Sequence, residues 1–138
     1  MSLLSIESAS LIFMGALVWV SALAQHFANV AARGAAYAVS DRSTAPEMAG
    51  FYGRATRTLA NNMESALMYG PPTILIILLD RSSTVTHWTS GIYIVARTLF
   101  TLSYWLRIPN VRSLGWLAGM FCAAAMAVAA TLAALSNS

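Results

Sequence analysis

The sequence has 138 residues, of which 58% are hydrophobic and only 9% are charged. One domain fits this length, but the chain is too apolar for an ordinary soluble domain, so its composition predicts an integral membrane protein. The net charge of +3 comes from arginines that are scattered rather than clustered, which argues against a nucleic-acid-binding surface.

Residue usage gives three further expectations. The chain has no lysine and many alanines, a usage typical of a GC-rich bacterial genome, so we expect a bacterial inner-membrane protein. Its single cysteine, Cys122, lies in an apolar run and cannot form a disulfide within the chain. A small buried hydrophobic residue is its commoner interpretation and a nucleophile the rarer one. Because the N-terminus has neither a basic segment nor a nearby cleavage motif, the first apolar segment is predicted to be a retained span rather than a signal peptide.

The first helix is predicted over about residues 8–33. No charged residue occurs between Glu7 and Arg33, and about 20 apolar residues suffice to cross a bilayer. His26 and Asn29 lie near its end at helical spacing from Arg33. A histidine in a membrane helix more often hydrogen-bonds to a neighbouring helix than contacts a bound molecule, and both interpretations of His26 stay open.

A loop precedes the second helix, which is predicted over about residues 47–79. Residues 34–50 have the turn-rich composition of a loop. Pro46 followed by Glu47 is typical of a helix start, because proline fits the first turn and an acid is favoured at the positive end of the helix dipole.

The second helix carries a polar stripe into the apolar part of the chain. At about 100° per residue, the polar positions fall within roughly a 100° arc. The stripe consists of Arg54, Arg57, Asn61 and Glu64, with Ser65 and Met68 beside them. Such a stripe can hold helices together through hydrogen bonds. Ionisable residues inside a span cost about 2.5–3.5 kcal/mol each on insertion scales, however, so they more often line a functional cavity.

Two prolines and a turn separate the polar stripe from the third helix. Pro71 and Pro72 remove backbone donors within the second helix and are expected to bend it. A turn at residues 80–83 then leads to the third helix, over about residues 85–106.

The fourth helix is predicted over about residues 111–135, after a break at Pro109. Gly115 and Gly119 form a pair of small residues on it that permits close contact with another helix. The whole chain, 1–138, is predicted as one all-α domain, an integral membrane four-helix bundle.

The distribution of arginine predicts the orientation of the helices. More arginines flank the first and third connections than the second. The positive-inside rule therefore places those two connections in the cytoplasm and both termini on the other side.

The third helix presents a polar and aromatic face. Its members are Tyr93, Arg97, Phe100, Tyr104 and Arg107. Arg97 and Glu64 each lie about ten residues from the cytoplasmic boundary, which is roughly 15 Å deep at about 1.5 Å per residue. Opposite charges at matched depth are expected to pair, and losing one would strand the other. This pair either fixes the register of two helices or contacts a ligand directly.

Three segments resemble a known family. RATRTLANNME at 54–64, followed by a proline within two turns, resembles the helix-two signature of the MAPEG superfamily, the membrane-associated proteins in eicosanoid and glutathione metabolism. ARTLFTLSY at 96–104 and RS at 112–113 resemble its patterns in helices three and four. The resemblance covers about residues 30–120. It implies a homotrimer of four-helix subunits, with glutathione bound between subunits in a polar cleft open to the cytoplasm.

The resemblance also implies which residues bind the cofactor. Arg57, Asn61 and Glu64 match positions that hold the glutathione peptide, and Tyr104 matches one that contacts it. Arg97 joins this predicted set through its expected pairing with Glu64.

Arg112 and Ser113 are the predicted catalytic residues. Arg112 matches the arginine that stabilises the thiolate in the eicosanoid-making branch, and Ser113 matches the hydroxyl beside it. A thiol with a pKa of about 8.5 becomes a nucleophile when a fixed cation lowers that value, and arginine stays charged at any relevant pH. The other interpretation of Arg112 is that it anchors a helix end at the headgroups.

The chain departs from the family pattern at several positions. Leu59 and Ala60 stand where glutathione-using relatives often have a His and an Arg, and Phe100 stands where some have a His. Trp116 occupies about the position of a Tyr implicated in thiol activation, and the turn before Arg112 is one residue shorter. Either the cofactor binds more weakly, or the chain binds something more apolar.

Three functions fit these features. The first is a membrane-bound glutathione transferase or peroxidase acting on lipophilic electrophiles or lipid hydroperoxides. The second is a non-catalytic membrane protein of the same fold that binds a lipid or hydrophobic metabolite or serves as a structural subunit. A small multidrug transporter ranks last, because Glu7 lies only at the start of the first helix. No metal site is predicted, since His26 and His87 are far apart and His87 has no carboxylate or thiol near it in the sequence.

Overall fold

The computed structural model describes residues 5–44 and 47–136. Within these residues the secondary structure is helical, with no β-strand. The helices are α1 (Ile6–Arg33), α2 (Ala35–Ala38), α3 (Gly50–Leu78), α4 (Thr84–Leu106) and α5 (Pro109–Leu135). The four long helices correspond to the four predicted ones, and α2 is a single short turn within the segment predicted as a loop.

Local sequence explains where three of the helices begin. The Ser5 side chain accepts a hydrogen bond from the Ser8 amide and caps α1. Ser83 and Thr86 form a reciprocal capping box at the start of α4, which satisfies two otherwise unpaired amides. Pro109 occupies the first turn of α5. The prediction that the chain breaks there until residue 111 was wrong, because a proline lacks only an amide that has no helical partner at that position.

α3 begins later in the chain than the predicted start at about residue 47. Glu47 lies outside the helix, which begins at Gly50. The Pro46 half of the predicted helix start lies outside the described residues. Downstream, α3 continues through both Pro71 and Pro72.

The long helices pack side by side with α1 and α5 apart from each other. α1 packs on α3 and α4, α5 packs on α3 and α4, and α3 also meets α4. A buried apolar cluster fills the space among α3, α4 and α5 and includes Tyr69, Tyr93, Cys122 and Met126. The interpretation of Cys122 as a buried hydrophobic residue is confirmed.

Polar contacts, rather than apolar ones alone, join α1 to its neighbours. The Tyr69 hydroxyl lies 2.8 Å from Ser10 Oγ on α1 and donates to Ser90 Oγ on α4 at 2.9 Å. The Tyr69 ring stacks on Tyr93 with 3.7 Å between centroids. Such hydrogen bonds, together with close packing, hold helices together where lipid removes the hydrophobic driving force.

Two helices, α1 and α5, are long and apolar enough to cross a membrane. The polar residues of α3 and α4 lower the mean hydropathy of these two helices, so length and hydropathy alone do not identify them as membrane spans. Large apolar side chains such as Trp19, Leu78, Trp88, Phe121 and Leu132 are exposed along the helices. This exposed apolar surface suits contact with lipid rather than water.

Candidate functional site

An open cleft of about 510 Å³ lies among α3, α4 and α5. Its volume falls within the range of about 300–1,000 Å³ that is usual for small-molecule sites. Its lining residues are Arg57, Ala60, Asn61, Glu64, Phe100, Tyr104, Arg112, Ser113 and Trp116.

The helical repeat brings the polar lining residues together. Arg57, Asn61 and Glu64 follow one another at spacings of four and three along α3, so they share one face. Tyr104 comes from the last turns of α4, and Arg112 comes from the first turns of α5. The turn between α4 and α5 therefore places the last two side chains opposite the α3 face.

Six of the seven predicted site residues line this cleft. They are Arg57, Asn61, Glu64, Tyr104, Arg112 and Ser113. Their roles in binding and catalysis stay predictions, but the cleft expected for them from the sequence is present. His26 is exposed on α1 and does not line it.

The seventh residue, Arg97, lies behind the cleft rather than in it. Its side chain is only 1% exposed. Nη2 donates to Asn61 Oδ1 at 2.9 Å and also to Asn62 Oδ1, while the guanidinium lies 4.3 Å from the centroid of the Phe100 ring. Arg97 thus fixes Asn61, which does face the cleft.

The predicted pairing of Glu64 with Arg97 was wrong. Within residues 5–44 and 47–136 no ion pair joins them, and Arg97 binds two asparagines instead. Glu64 is exposed towards the cleft. The physical reason is rotational: Asn61 and Asn62 fill the α3 surface that faces Arg97, which turns Glu64 to the open side.

Asn62 is an important residue that was not predicted from the sequence. It is 2% exposed, accepts from Arg97, and donates to Ser21 Oγ at 2.8 Å and to Thr101 Oγ1 at 3.1 Å. It therefore links α1, α3 and α4 directly behind the cleft. The available signal was the pair of adjacent asparagines in an otherwise apolar region.

The polar stripe on α3 contributes both to an interhelical hydrogen bond and to the lining of the cleft. Ser65 is buried and hydrogen-bonds to the Tyr93 hydroxyl at 2.9 Å, which holds α3 to α4. Arg57 and Glu64 face the cleft. Arg54 does not line this cleft, and its Nη1 donates to the Gly50 carbonyl at 3.1 Å.

Aromatic contacts orient the cation at the mouth of the cleft. The Arg112 guanidinium lies 5.1 Å from the centroid of the Tyr104 ring, a distance at which a cation is attracted to the ring face. Tyr104 in turn meets the edge of Phe100. Arg112 is therefore held at the rim without an acidic partner that would neutralise it, within the part of the chain that the structure describes.

The fold brings one histidine beside a carboxylate, contrary to what the sequence order implied. His87 Nδ1 lies 3.6 Å from Glu7 Oε1, which also accepts from Thr86 Oγ1 at 2.7 Å. The described residues contain no group of three or more potential metal ligands. Glu7 and His87 lie at the α1 and α4 starts, away from the cleft.

Comparison with known proteins gives a match to a protein family. A sequence model of the MAPEG family matches residues 6–132. No curated protein and no solved structure matches the chain.

Proposed function

The chain belongs to the MAPEG family, and we propose that it is a membrane-bound enzyme that uses glutathione against lipophilic electrophiles or lipid hydroperoxides. The observation that carries the proposal is the cleft itself. Residues from three helices, at positions that the family resemblance implies for glutathione, line one cavity of about 510 Å³.

The charges of the cleft complement those of glutathione. At neutral pH the tripeptide carries two carboxylates and one ammonium group. Arg57 and Arg112 supply two cations, and Glu64 supplies one anion. Arginine binds carboxylates through a planar fork of donors, and Asn61, held by Arg97, adds a fixed amide. We infer that Arg57, Asn61 and Glu64 hold the peptide, which leaves Arg112 for the thiol.

In a transferase reaction, Arg112 is the group that favours the thiolate. The thiol proton leaves for solvent, and the negative sulfur is stabilised by the guanidinium at the rim. The sulfur then attacks an electrophilic carbon, a C–S bond forms, and the leaving group departs with the bonding electron pair. Ser113 donates a hydrogen bond to the sulfur or to the departing atom.

In a peroxidase reaction, the same thiolate attacks the terminal oxygen of a lipid hydroperoxide. The O–O bond breaks, the lipid leaves as an alcohol after taking a proton, and the sulfur becomes a sulfenic acid. A second glutathione reduces it, giving the disulfide and water. Both reactions need an activated thiol beside an apolar substrate. They differ in the atom attacked and in the second glutathione that the peroxidase reaction consumes.

The membrane supplies the second substrate in this proposal. The apolar spans α1 and α5, together with the family, indicate an integral membrane protein. We propose that α3 and α4 also cross the bilayer as part of a four-helix bundle, in a homotrimer whose clefts open to the cytoplasm of a bacterial cell. A lipophilic molecule would then reach the cleft sideways through lipid, past Phe100 and Trp116.

A non-catalytic function is the second candidate, and one observation favours it. Ala60, Phe100 and Trp116 line the cleft with apolar surface at positions where glutathione-using relatives often carry polar groups. A cleft of this kind accommodates a lipid or a hydrophobic metabolite. The protein would then bind such a molecule, or act as a structural subunit, without activating a thiol.

Calorimetric titration of glutathione into the detergent-solubilised protein separates the two candidates. We expect a Kd below about 1 mM, the upper end of ordinary substrate affinities. Arg57→Leu, which removes a cation from the cleft, should weaken binding at least tenfold. Arg42→Leu removes the same charge from the exposed loop, where Arg42 Nη2 donates to the Ala38 carbonyl, and should change nothing. Affinity weaker than millimolar in the unmodified protein would favour the binding protein.

A further inference from the structure

A second pocket of about 360 Å³ adjoins the cleft at the end of the molecule where α4 gives way to α5. Its lining residues are Arg54, Arg57, Ser103, Tyr104, Arg107, Ile108, Pro109 and Arg112. It shares three of these residues with the cleft, namely Arg57, Tyr104 and Arg112. Arg54 and Arg107 belong to the second pocket alone.

Four of the eight arginines of the chain meet in this pocket. None of the residues lining it is acidic. Like charges brought together repel one another, and the repulsion grows as water is excluded. A concave surface with four cations and no carboxylate therefore favours the binding of an anion.

Arg54 supplies an unsatisfied donor in this pocket. Its Nη1 donates to the Gly50 carbonyl, but its Nε is buried and has no hydrogen-bond acceptor among the described residues. A buried donor without an acceptor is costly. An anion in the pocket would accept a hydrogen bond from Arg54 Nε.

Arg107 stands in a backbone conformation that argues for a role of its side chain. Its φ of 64° and ψ of 42° are left-handed, and the residue that follows a helix in this conformation is usually glycine. The chain places a guanidinium there instead. The adjoining N-terminus of α5 has no side-chain cap and no acidic residue in its first turn, so its partial positive charge adds to that of the arginines.

We propose that this pocket binds a phosphate group, carried either by an anionic phospholipid or by a soluble phosphate. A phosphate offers up to two charges and several acceptor oxygens, which several guanidinium forks can share. A single carboxylate offers one charge and fewer acceptors. Ile108 and Pro109 form an exposed apolar border to the pocket, which suits a headgroup at the membrane surface. The pocket shares Arg57, Tyr104 and Arg112 with the cleft, but Arg54 and Arg107 line only the second of these two pockets and take no part in the proposed thiol chemistry.

A calorimetric titration of inorganic phosphate into the purified full chain tests the site. We expect saturable binding that Arg54→Leu and Arg107→Gly each weaken at least tenfold, as the loss of one charge-assisted hydrogen bond implies. Arg107→Gly relieves the left-handed conformation and should leave the melting temperature unchanged or higher, so its loss of binding cannot be ascribed to unfolding. Arg42→Leu is the matched control and should bind as the unmodified protein does.

A second titration identifies the source of the phosphate. Water-soluble short-chain phosphatidylglycerol is added to the protein with bound inorganic phosphate, and short-chain phosphatidylcholine serves as the neutral comparison. Displacement by the anionic lipid alone assigns the pocket to a headgroup, and the absence of displacement assigns it to a soluble phosphate. Binding of neither inorganic phosphate nor the anionic lipid overturns the proposal. Binding that survives both arginine substitutions overturns it equally.

Discussion

At the scale of single residues, Arg112 is the cation best placed to act on a thiol. It lies at the start of α5, lines the cleft, and faces the Tyr104 ring rather than a carboxylate. Arg112 also lines the second pocket, but a guanidinium that only anchored a helix end at headgroups would not need to line the cleft with Asn61 and Glu64 as well. Its position in the cleft therefore favours the catalytic interpretation over the anchoring one.

We predict that Arg112→Leu lowers glutathione-dependent turnover by a factor of roughly 10²–10⁴, the range typical of losing one electrostatic or proton-handling group. Lysine should restore activity only in part, because an ammonium lacks the planar fork of a guanidinium. Steady-state rates with standard electrophiles measure the effect, and gel filtration in detergent checks that assembly is unchanged. Undiminished activity in the leucine variant would show that Arg112 only anchors the helix.

Arg97 and its partners give a prediction about stability. Asn62→Leu should reduce the free energy of unfolding by about 1–3 kcal/mol, because it leaves a buried guanidinium with one fewer hydrogen-bond acceptor. Glu64→Gln should leave stability unchanged, since Glu64 is exposed and unpaired among the described residues. Thermal melting in detergent compares the two variants.

The double variant Asn62→Leu/Arg97→Leu tests whether the stability lost in Asn62→Leu comes from the contact with Arg97. If the two residues act as one unit, the combined loss is smaller than the sum of the separate losses. Additive losses would contradict the interaction between Asn62 and Arg97. A Glu64→Gln variant as unstable as Asn62→Leu would favour an ion pair between Arg97 and Glu64 instead.

At the scale of elements, Gly115 sets how closely α5 approaches α4. A Cβ added there would lie 2.8 Å from the Phe100 amide nitrogen and 2.9 Å from the Ala96 carbonyl oxygen. Both atoms belong to the backbone and cannot move aside independently of their helix. Gly119 meets the Arg97 side chain instead, at 3.0 Å from Cδ. The close helix contact that this glycine pair permits is therefore present.

We predict that Gly115→Ala lowers stability by about 1–3 kcal/mol, the usual cost of overpacking a tight contact. Gly91→Ala is the matched control, because a Cβ at Gly91 on α4 would have no heavy atom within 4 Å. It should raise stability by about 0.5–1 kcal/mol through the better helix propensity of alanine. Equal melting temperatures for the two variants would mean that α5 is not held against α4 at this point.

The helices were predictable from the sequence, whereas the side-chain partners were not. Apolar run length and the turn composition of residues 80–83 locate the helices to within a few residues. Asn61 and Asn62, by contrast, are about 100° apart on α3, so a modest rotation of that helix decides whether both reach Arg97 and where Glu64 points. Hydrophobic periodicity does not resolve such a rotation. Packing against Ser21 and Thr101, remote in sequence, fixes it.

The second pocket could not be predicted for a related reason. Arg54 and Arg107 are 53 positions apart along the chain, and neither occupies a position to which the family resemblance assigns a role. Only the turn between α4 and α5, with Arg107 in a left-handed conformation, carries them to one place. Positive φ at an arginine has no sequence signal, because glycine is the residue usually expected there.

At the scale of the whole molecule, the surface exposes both large apolar side chains and charged side chains. A single chain surrounded by lipid would suit only the apolar ones. Large apolar side chains are exposed along the helices, while Arg57 and Glu64 are exposed on α3. Lipid suits the first set and excludes the second. An assembly in which α3 of each subunit faces its neighbours provides a polar environment for these charges and leaves the apolar faces in lipid.

We predict a homotrimer with α3 nearest the symmetry axis, so that each cleft is closed by the neighbouring subunit. Native mass spectrometry in mild detergent should show a mass close to three times the 14.7 kDa of the chain. A cysteine introduced on the exposed α3 face at Ala60 should cross-link between subunits, whereas one at Phe121, exposed on the other side of α5, should not. The cross-linking protein needs Cys122 replaced by alanine, which the small buried site tolerates at modest cost. A monomer under these conditions would leave the charges of α3 facing lipid, and would remove the physical basis for a site shared between subunits.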